Sequence, residues 1–223
     1  MAKPMNKTIS EQQIRLNQEL HQKRKDFGNR ADTSGLNANL CKALSRMHEL
    51  GVCRSVLDYG TGKGKLVKRL RQELPGSIAV AGYDPAVEQF SLKPSRSVDV
   101  LLCFDVLEHI EMANIKYVLE DIDKLTDSFC YLIIDLQPAN KILSNGRNAH
   151  ILLAPPEWWI SRISQLFPCL TSFPIMHCSG LPQKLVIAAC KRPAMVPYMQ
   201  GFLSKLQIFE MMMAGGILGE HKQ

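Results

Sequence analysis

Apolar positions along the chain change their period several times, and each change predicts an element. Residues 10–26 are strongly polar with a sparse apolar stripe, and Ser10 stands where a helix N-cap belongs. Leu36, Leu40, Leu44 and Met47 then recur at helical spacing, so a second helix should run to about Gly51. At Ser55-Val56-Leu57-Asp58-Tyr59 the period is lost. A short apolar run ends in clustered glycines, as a buried strand entering a turn does. Leu66, Val67, Leu70 and Leu74 restore the helical step until Pro75-Gly76 stops it. Ile78 to Tyr83 and Val98 to Phe104 predict two more strands. Ile115, Val118, Leu119, Ile122 and Leu125 predict an amphipathic helix, and Phe129 to Ile134 a further strand.

Strands alternating with helices imply βαβ units and a mostly parallel sheet. The remainder follows another pattern. Pro155 to Phe167 predicts a helix with proline near its start. Two apolar runs, Ser172 to Cys178 and Lys184 to Cys190, flank Ser179-Gly180-Leu181-Pro182-Gln183 and predict an antiparallel hairpin. Tyr198, Phe202, Leu206, Phe209 and Met213 step along a terminal helix. The expected division is a helical cap over 1–52, a sheet domain over 53–192, and a C-terminal helix over 193–223.

Composition narrows the class. With 223 residues, 46% of them apolar and 22% charged, the chain can bury a full core. No uncharged apolar run approaches the ~18 residues of a membrane span, and the polar start from Met1 to Gln13 does not resemble a signal peptide. Seven scattered cysteines without a C-x-x-C pair argue against a disulfide framework or structural zinc, and for a reducing cytoplasm. The net charge of +6 is uneven: residues 1–54 hold ten Lys/Arg against five Asp/Glu, and Lys63 to Arg71 packs five basic residues. Such an arm can meet an anionic partner, or it can be a solvated helix face.

The chemistry concentrates in Asp58-Tyr59-Gly60-Thr61-Gly62-Lys63-Gly64. A strand running through alternating glycines into a helix lets a ligand approach the backbone and offers free N–H groups to it. Asp84 lies 20 residues beyond Gly64, at the end of the next strand, where a nucleotide-binding fold places the carboxylate that takes ribose hydroxyls.

This stretch resembles the first motif of the class I S-adenosylmethionine-dependent methyltransferases, a strand ending in an acid followed by x-Gly-x-Gly-x-Gly. Asp84 matches their ribose acid, and Asp105-Val106-Leu107-Glu108-His109-Ile110 matches a frequent continuation of their fourth-strand motif. The resemblance covers about residues 54–136. It implies a Rossmann-like, mostly parallel α/β sheet with helices on both faces, a C-terminal hairpin and two N-terminal helices able to lid the pocket. It also implies S-adenosyl-L-methionine as cofactor, bordered by Asp58, Gly60, Thr61, Gly62, Gly64, Asp84, Pro85, Cys103, Phe104 and Asp105. One departure is plain: only Pro85 to Val98 separate the ribose acid from the next motif, too few for the family's usual extra helix and strand. The adenine contact is therefore unassigned, and Phe90 or Leu92 could wall it.

Asp105-x-x-Glu108-His109-x-x-Met112 partly resembles the metal signature of small-RNA 3′-end methyltransferases, Glu-x-x-Glu-His-x-x-His. Two members differ, so no metal is expected. His109 can be a general base or a structural histidine at the strand end. The loop after Asp135 is dense in hydrogen-bonding side chains and leaves the carboxyl edge of the sheet, where ligands bind. Its Gly-Arg-Asn-Ala-His element and the following Glu-Trp-Trp look like those of a bacterial and phage-type subgroup. Here Arg147, Asn148 and Trp158 are candidate acceptor contacts, and His150, His109 and Asp135 candidate acid–base groups. Alternatively the loop is locked by its own hydrogen bonds.

The expected activity is methyl transfer to an O or N atom of a small-molecule or glycan-like acceptor. The alternatives are an RNA- or DNA-directed methyltransferase using the basic arm, and a cofactor-binding module without catalysis. No membrane partner is expected, and the oligomeric state is open.

Overall fold

The computed structural model describes residues 8–24, 27–28, 35–177 and 180–208. Helix α1 (Glu11–Lys23) starts at Ser10, whose hydroxyl accepts the Gln13 N–H at 3.1 Å, satisfying one of the otherwise orphaned donors of the first turn. Helix α2 (Leu40–Glu49) buries Leu40, Ala43, Leu44 and Met47 as their spacing requires. Then come β1 (Ser55–Tyr59), α3 (Lys65–Glu73), β2 (Ala79–Tyr83), β3 (Val98–Phe104), α4 (Ile115–Leu125) and β4 (Thr126–Asp135). After α5 (Pro156–Ile163), with proline in its first turn, β5 (Cys169–Met176) and β6 (Pro182–Cys190) form the hairpin, and α6 (Val196–Leu206) follows. Phe209 and Met213, expected in that last helix, lie outside the described residues.

The six strands lie in the order β2-β1-β3-β4-β6-β5. β1 to β4 are mutually parallel, and β6 and β5 run antiparallel. Between β2 and β3 there is only a short 3-10 turn, Glu88–Phe90, so β2 is the sheet edge, as the short 85–98 segment led us to expect.

Side chains of the central strands alternate between two cores, the period of two that a strand imposes. Val56, Val100, Leu102, Phe129, Tyr131 and Val186 face α2, α3 and α6. Leu57, Leu101, Cys103, Cys130, Leu132 and Ile187 face α4 and α5. Both faces are therefore covered, which explains why the strands read as continuous apolar runs rather than alternating ones. Among the described residues, six cysteines are free thiols, and five of them are buried as small apolar groups. No helix among the described residues is long and apolar enough to cross a membrane.

The chain turns from β1 to one neighbour, β2, and later returns to the other, β3. The carboxyl ends of β1 and β3 thus flank a topological switch point, where open α/β sheets place their ligands.

Candidate active site

A cavity opens at that switch point, with about 860 Å³ of space including its mouth. Asp58, Gly60, Thr61, Gly62, Asp84, Pro85, Phe104 and Asp105 line it, eight of the ten residues expected there. Gly64 and Cys103 stand outside the lining. Gly64 adopts a left-handed conformation (φ +72°) as the cap of α3, and a side chain there would strike the Phe90 ring. Cys103 points into the core beneath the cavity. The two residues considered for an adenine wall also stand apart: Leu92 is 89% exposed, and Phe90 packs over Gly64.

The glycine turn is held by backbone geometry. Gly60 N–H and Thr61 N–H both donate to the Tyr83 carbonyl, at 2.7 and 3.1 Å, binding the turn to the end of β2. Asp84 Oδ2 accepts Gly62 N–H and its Oδ1 accepts Ala86 N–H, both at 2.9 Å. The carboxylate is thereby fixed at the cavity wall. Burial pushes its pKa up, opposed by the Ala86 amide, by His21 and by the Gly62 amide. At the base of the turn, Thr61 donates its hydroxyl proton to Asp58 Oδ2 at 2.6 Å.

Sequence reasoning foresaw helices able to lid the pocket but not which groups they contribute. Asn17 and His21 lie one turn apart on α1 and line the cavity, and Gln13, a further turn back, is buried and donates to Asn17 Oδ1 at 3.0 Å. Burial lowers the His21 pKa, while the Asp84 carboxylate raises it and Lys63 lowers it. Past α1, Phe27 and Gly28 cross the glycine turn, where the Gly28 carbonyl accepts Lys63 N–H at 2.7 Å. The spacing of Gln13, Asn17 and His21, four residues each, was the available signal: a polar stripe beside the apolar one.

A second cavity adjoins the first across Phe27 and His109, which line both. Its wall includes Asp135, Gln137, His150, His177 and Lys184. His109, His150 and Asp135 are thus brought together, although His150 lies 41 positions after His109. Lys184, unforeseen, bonds Asp105 Oδ1 at 2.7 Å and Asp135 Oδ2 at 3.1 Å, tying a residue of the first cavity to one of the second. Asp105 is held at φ +48°, unusual for a non-glycine residue. The signal for Lys184 was a lone cation directly ahead of the apolar run Leu185 to Cys190 in β6.

The three expected acceptor contacts line neither cavity. Arg147 is exposed, and its guanidinium donates to Gln13 Oε1 at 3.2 Å, so it fastens α1 to the loop. Trp158 packs edge-on against the buried Trp159, with the Arg162 guanidinium 3.5 Å from its ring centre. Asn148 Oδ1 accepts the N–H of Ala139 (3.0 Å) and of His150 (2.9 Å), while its Nδ2 donates to the Ala139 carbonyl at 2.8 Å. Here the loop is indeed closed by its own hydrogen bonds. Asn148→Ala should therefore cost about 2–3 kcal/mol of stability, at roughly 1 kcal/mol per lost bond. Thermal unfolding should register it as a lower Tm, with cofactor affinity unmoved.

The chain's comparisons with known proteins agree with this geometry. A family model described as "Methyltransferase domain" matches residues 16–162. Among curated protein sequences none matches. Among solved structures, a Burkholderia thailandensis 1,6-didemethyltoxoflavin-N1-methyltransferase, with bound 1,6-didemethyltoxoflavin and S-adenosylhomocysteine, is similar at TM-score 0.52 and 15% identity. The match covers 85% of this chain and 92% of that one. A structure described as a DhpI-SAM-HEP complex is similar at TM-score 0.50 and 12% identity, covering 86% and 100%. At such identities the likeness speaks for the fold. The family match spans more than half of the chain, including the glycine turn, Asp84 and the cavity they wall; the chain belongs to the methyltransferase-domain family and is a class I S-adenosylmethionine-dependent methyltransferase.

Proposed function

We propose that this enzyme methylates an O or N atom of a small-molecule or glycan-like acceptor held in the second cavity. The observation that carries this reading is the shared wall. Phe27 and His109 separate a cofactor-sized cavity from one rich in hydrogen-bonding groups, so an acceptor there is next to the donor site. The similar Burkholderia structure is described as holding 1,6-didemethyltoxoflavin and S-adenosylhomocysteine, a precedent for a small acceptor on this fold.

The residues present fit the cofactor. Asp84 keeps lone pairs on both oxygens for hydroxyl donors, beyond the two amides it already accepts. The turn at Gly60–Gly62 brings backbone to the cavity wall. When bound, S-adenosylmethionine supplies a methyl group on a sulfonium, already a reactive donor. Asp84 would accept from the ribose hydroxyls, and the turn with Asp58 would border the methionine part. Asn17, His21 and Phe27 cover the cavity and exclude water, which sharpens every electrostatic contact within. On the acceptor side, His109, His150 and Asp135 orient the nucleophile and relieve it of its proton. Lys184 holds Asp135 and Asp105 in register. Positioning of this kind supplies most of the rate in a direct displacement.

Purified enzyme should convert S-adenosylmethionine to S-adenosylhomocysteine when offered a panel of hydroxylated and amino-bearing metabolites and saccharides. Mass spectrometry should find one added methyl on the acceptor. Methyl incorporation confined to RNA or DNA in a parallel panel would overturn the small-acceptor reading.

A further inference from the structure

The antiparallel pairing of β5 with β6 sets Cys169 directly opposite Cys190, although the two lie 21 positions apart in the chain. Opposed residues on neighbouring antiparallel strands project to the same face. Cys190 is a buried member of the core shared with α2, α3 and α6, and Cys169 packs half-buried against that core. The two thiols are hydrogen-bonded to each other, and Cys190 Sγ also lies 3.5 Å from the Arg192 carbonyl oxygen. Cys130, on the neighbouring strand β4, stands opposite Ala189 and faces the other core. Spacing along the chain gave no sign of the pair, because strand register alone creates it.

Directly opposed residues in an antiparallel ladder have Cα atoms about 4.5–5.5 Å apart. A disulfide spans Cα separations of about 4.4–6.8 Å. An S–S bond here therefore asks for side-chain rotation and leaves the sheet where it is. The two thiols differ in access. Cys169 reaches solvent, whereas Cys190 is fully buried. Burial, and then the Cys169 thiol beside it, pushes the Cys190 pKa up to about 11. Cys190 keeps its proton near neutrality, and Cys169 is the sulfur that a dissolved oxidant meets first.

We propose that Cys169 and Cys190 form a reversible disulfide when the protein meets a peroxide, fastening the edge strand β5 to β6. β5 is the last strand of the sheet and pairs on one side only. Ile175 is its one fully buried residue. A strand so lightly anchored opens at low free energy, and its free edge is a template for unwanted pairing. The bridge closes the open end of the hairpin, at the far end from the turn that brings Gln183 and Lys184 to the second cavity. Cys190 lies beside the amino half of β4, away from the carboxyl edge where the cavities open, so the inference does not rest on the methyltransferase reading.

The chemistry balances without a further reactant. The Cys169 sulfur, as thiolate, attacks one oxygen of hydrogen peroxide. An S–O bond forms as the O–O bond breaks, and the departing hydroxide takes up the proton that Cys169 released. The Cys190 sulfur then bonds to the Cys169 sulfur while the S–O bond breaks. Its proton leaves with the hydroxyl group as a second water. Two thiols have lost two electrons and one peroxide has been reduced to two waters.

The test treats reduced full-length protein with hydrogen peroxide and counts thiols after unfolding. The count should fall from seven to five per chain, and a dithiol reductant should restore it. Peptide mapping of the oxidised chain should find residues 169 and 190 in one linked pair. Cys169→Ser and Cys190→Ser should each abolish the two-thiol loss, and Cys178→Ser should leave it unchanged. Amide hydrogen exchange across β5 should slow about tenfold or more on oxidation, because the bridge removes open states of the strand. Affinity for S-adenosylhomocysteine should stay within about twofold. The mapping uses the unaltered chain, so it decides the matter even where a variant fails to fold. A count that stays at seven, a link between other cysteines, or sulfinic acid on Cys169 with Cys190 still free would overturn the proposal. A correct link with unchanged exchange across β5 would overturn the fastening role.

Discussion

Asp84→Ala should lower affinity for S-adenosylhomocysteine at least tenfold, and Gly62→Val should lower it further. Asp84 is the only carboxylate at the end of β2, and its two oxygens already hold the Gly62 and Ala86 amides in place. On the proposed cofactor reading, removing it would delete the acceptor for the ribose hydroxyls, and it would free the turn. Hydrogen bonds to a charged group contribute about 1.5–3 kcal/mol, and each 1.4 kcal/mol is tenfold in affinity. The glycine variant acts through shape. Gly62 sits at φ +55°, where a β-branched residue is strained, and its Cβ would lie 2.5 Å from the Gly28 carbonyl oxygen and 2.6 Å from Gly28 Cα. Backbone must move on one side or the other, so the segment that crosses the turn would be displaced. Calorimetry with S-adenosylhomocysteine gives the affinities, and circular dichroism on the same samples reports the fold. Folded variants that both bind as tightly as the parent would remove the β2 end from the cofactor site.

The position of Asp84 at the cavity wall was readable from the chain because everything that places it is local. β1, the glycine turn, α3 and β2 are consecutive, and each carries its own start or stop signal. Strand and helix limits in this stretch fall within a residue or two of those read from periodicity: Ser55–Tyr59, Val98–Phe104 and Ile115–Leu125 are as expected. The hairpin was harder. β5 begins at Cys169, three residues before its expected start, because Leu170 and Thr171 pair with Ala189 and Ala188 across the ladder, a contact that no local pattern encodes. β4 likewise begins at Thr126, directly off α4, with no turn residue to announce the change.

The second cavity was legible only as a neighbourhood. A polar loop at the carboxyl edge pointed to its region, yet which of the loop's side chains face inward depends on how it folds back. Arg147 turns outward to Gln13 and Asn148 closes the loop on itself, while His150 faces the second cavity beside His109. The residues of α1 could be assigned no partner, since the stripe of Gln13, Asn17 and His21 acquires its meaning from a turn 40 positions further on. Lys184 belongs to the same class: its register partner Asp135 is fixed by antiparallel pairing of β4 with β6.

His150→Ala should reduce turnover by roughly 10²–10⁴ while S-adenosylhomocysteine affinity stays within about twofold. His150 lines the second cavity and not the first, so its loss should leave the donor site alone. A positioned group that relieves the nucleophile of its proton contributes about that factor in rate. The side chain also has an architectural part, because Nδ1–H holds the Gln137 carbonyl. Losing one such bond costs about 1 kcal/mol, visible as a small fall in Tm. The two contributions separate when both are measured on one preparation. If the imidazole does chemistry, turnover per folded molecule collapses although the protein remains folded at assay temperature. A less stable His150→Ala that keeps full turnover per folded molecule would assign the imidazole to loop closure and move the acceptor's proton to Asp135 or His109.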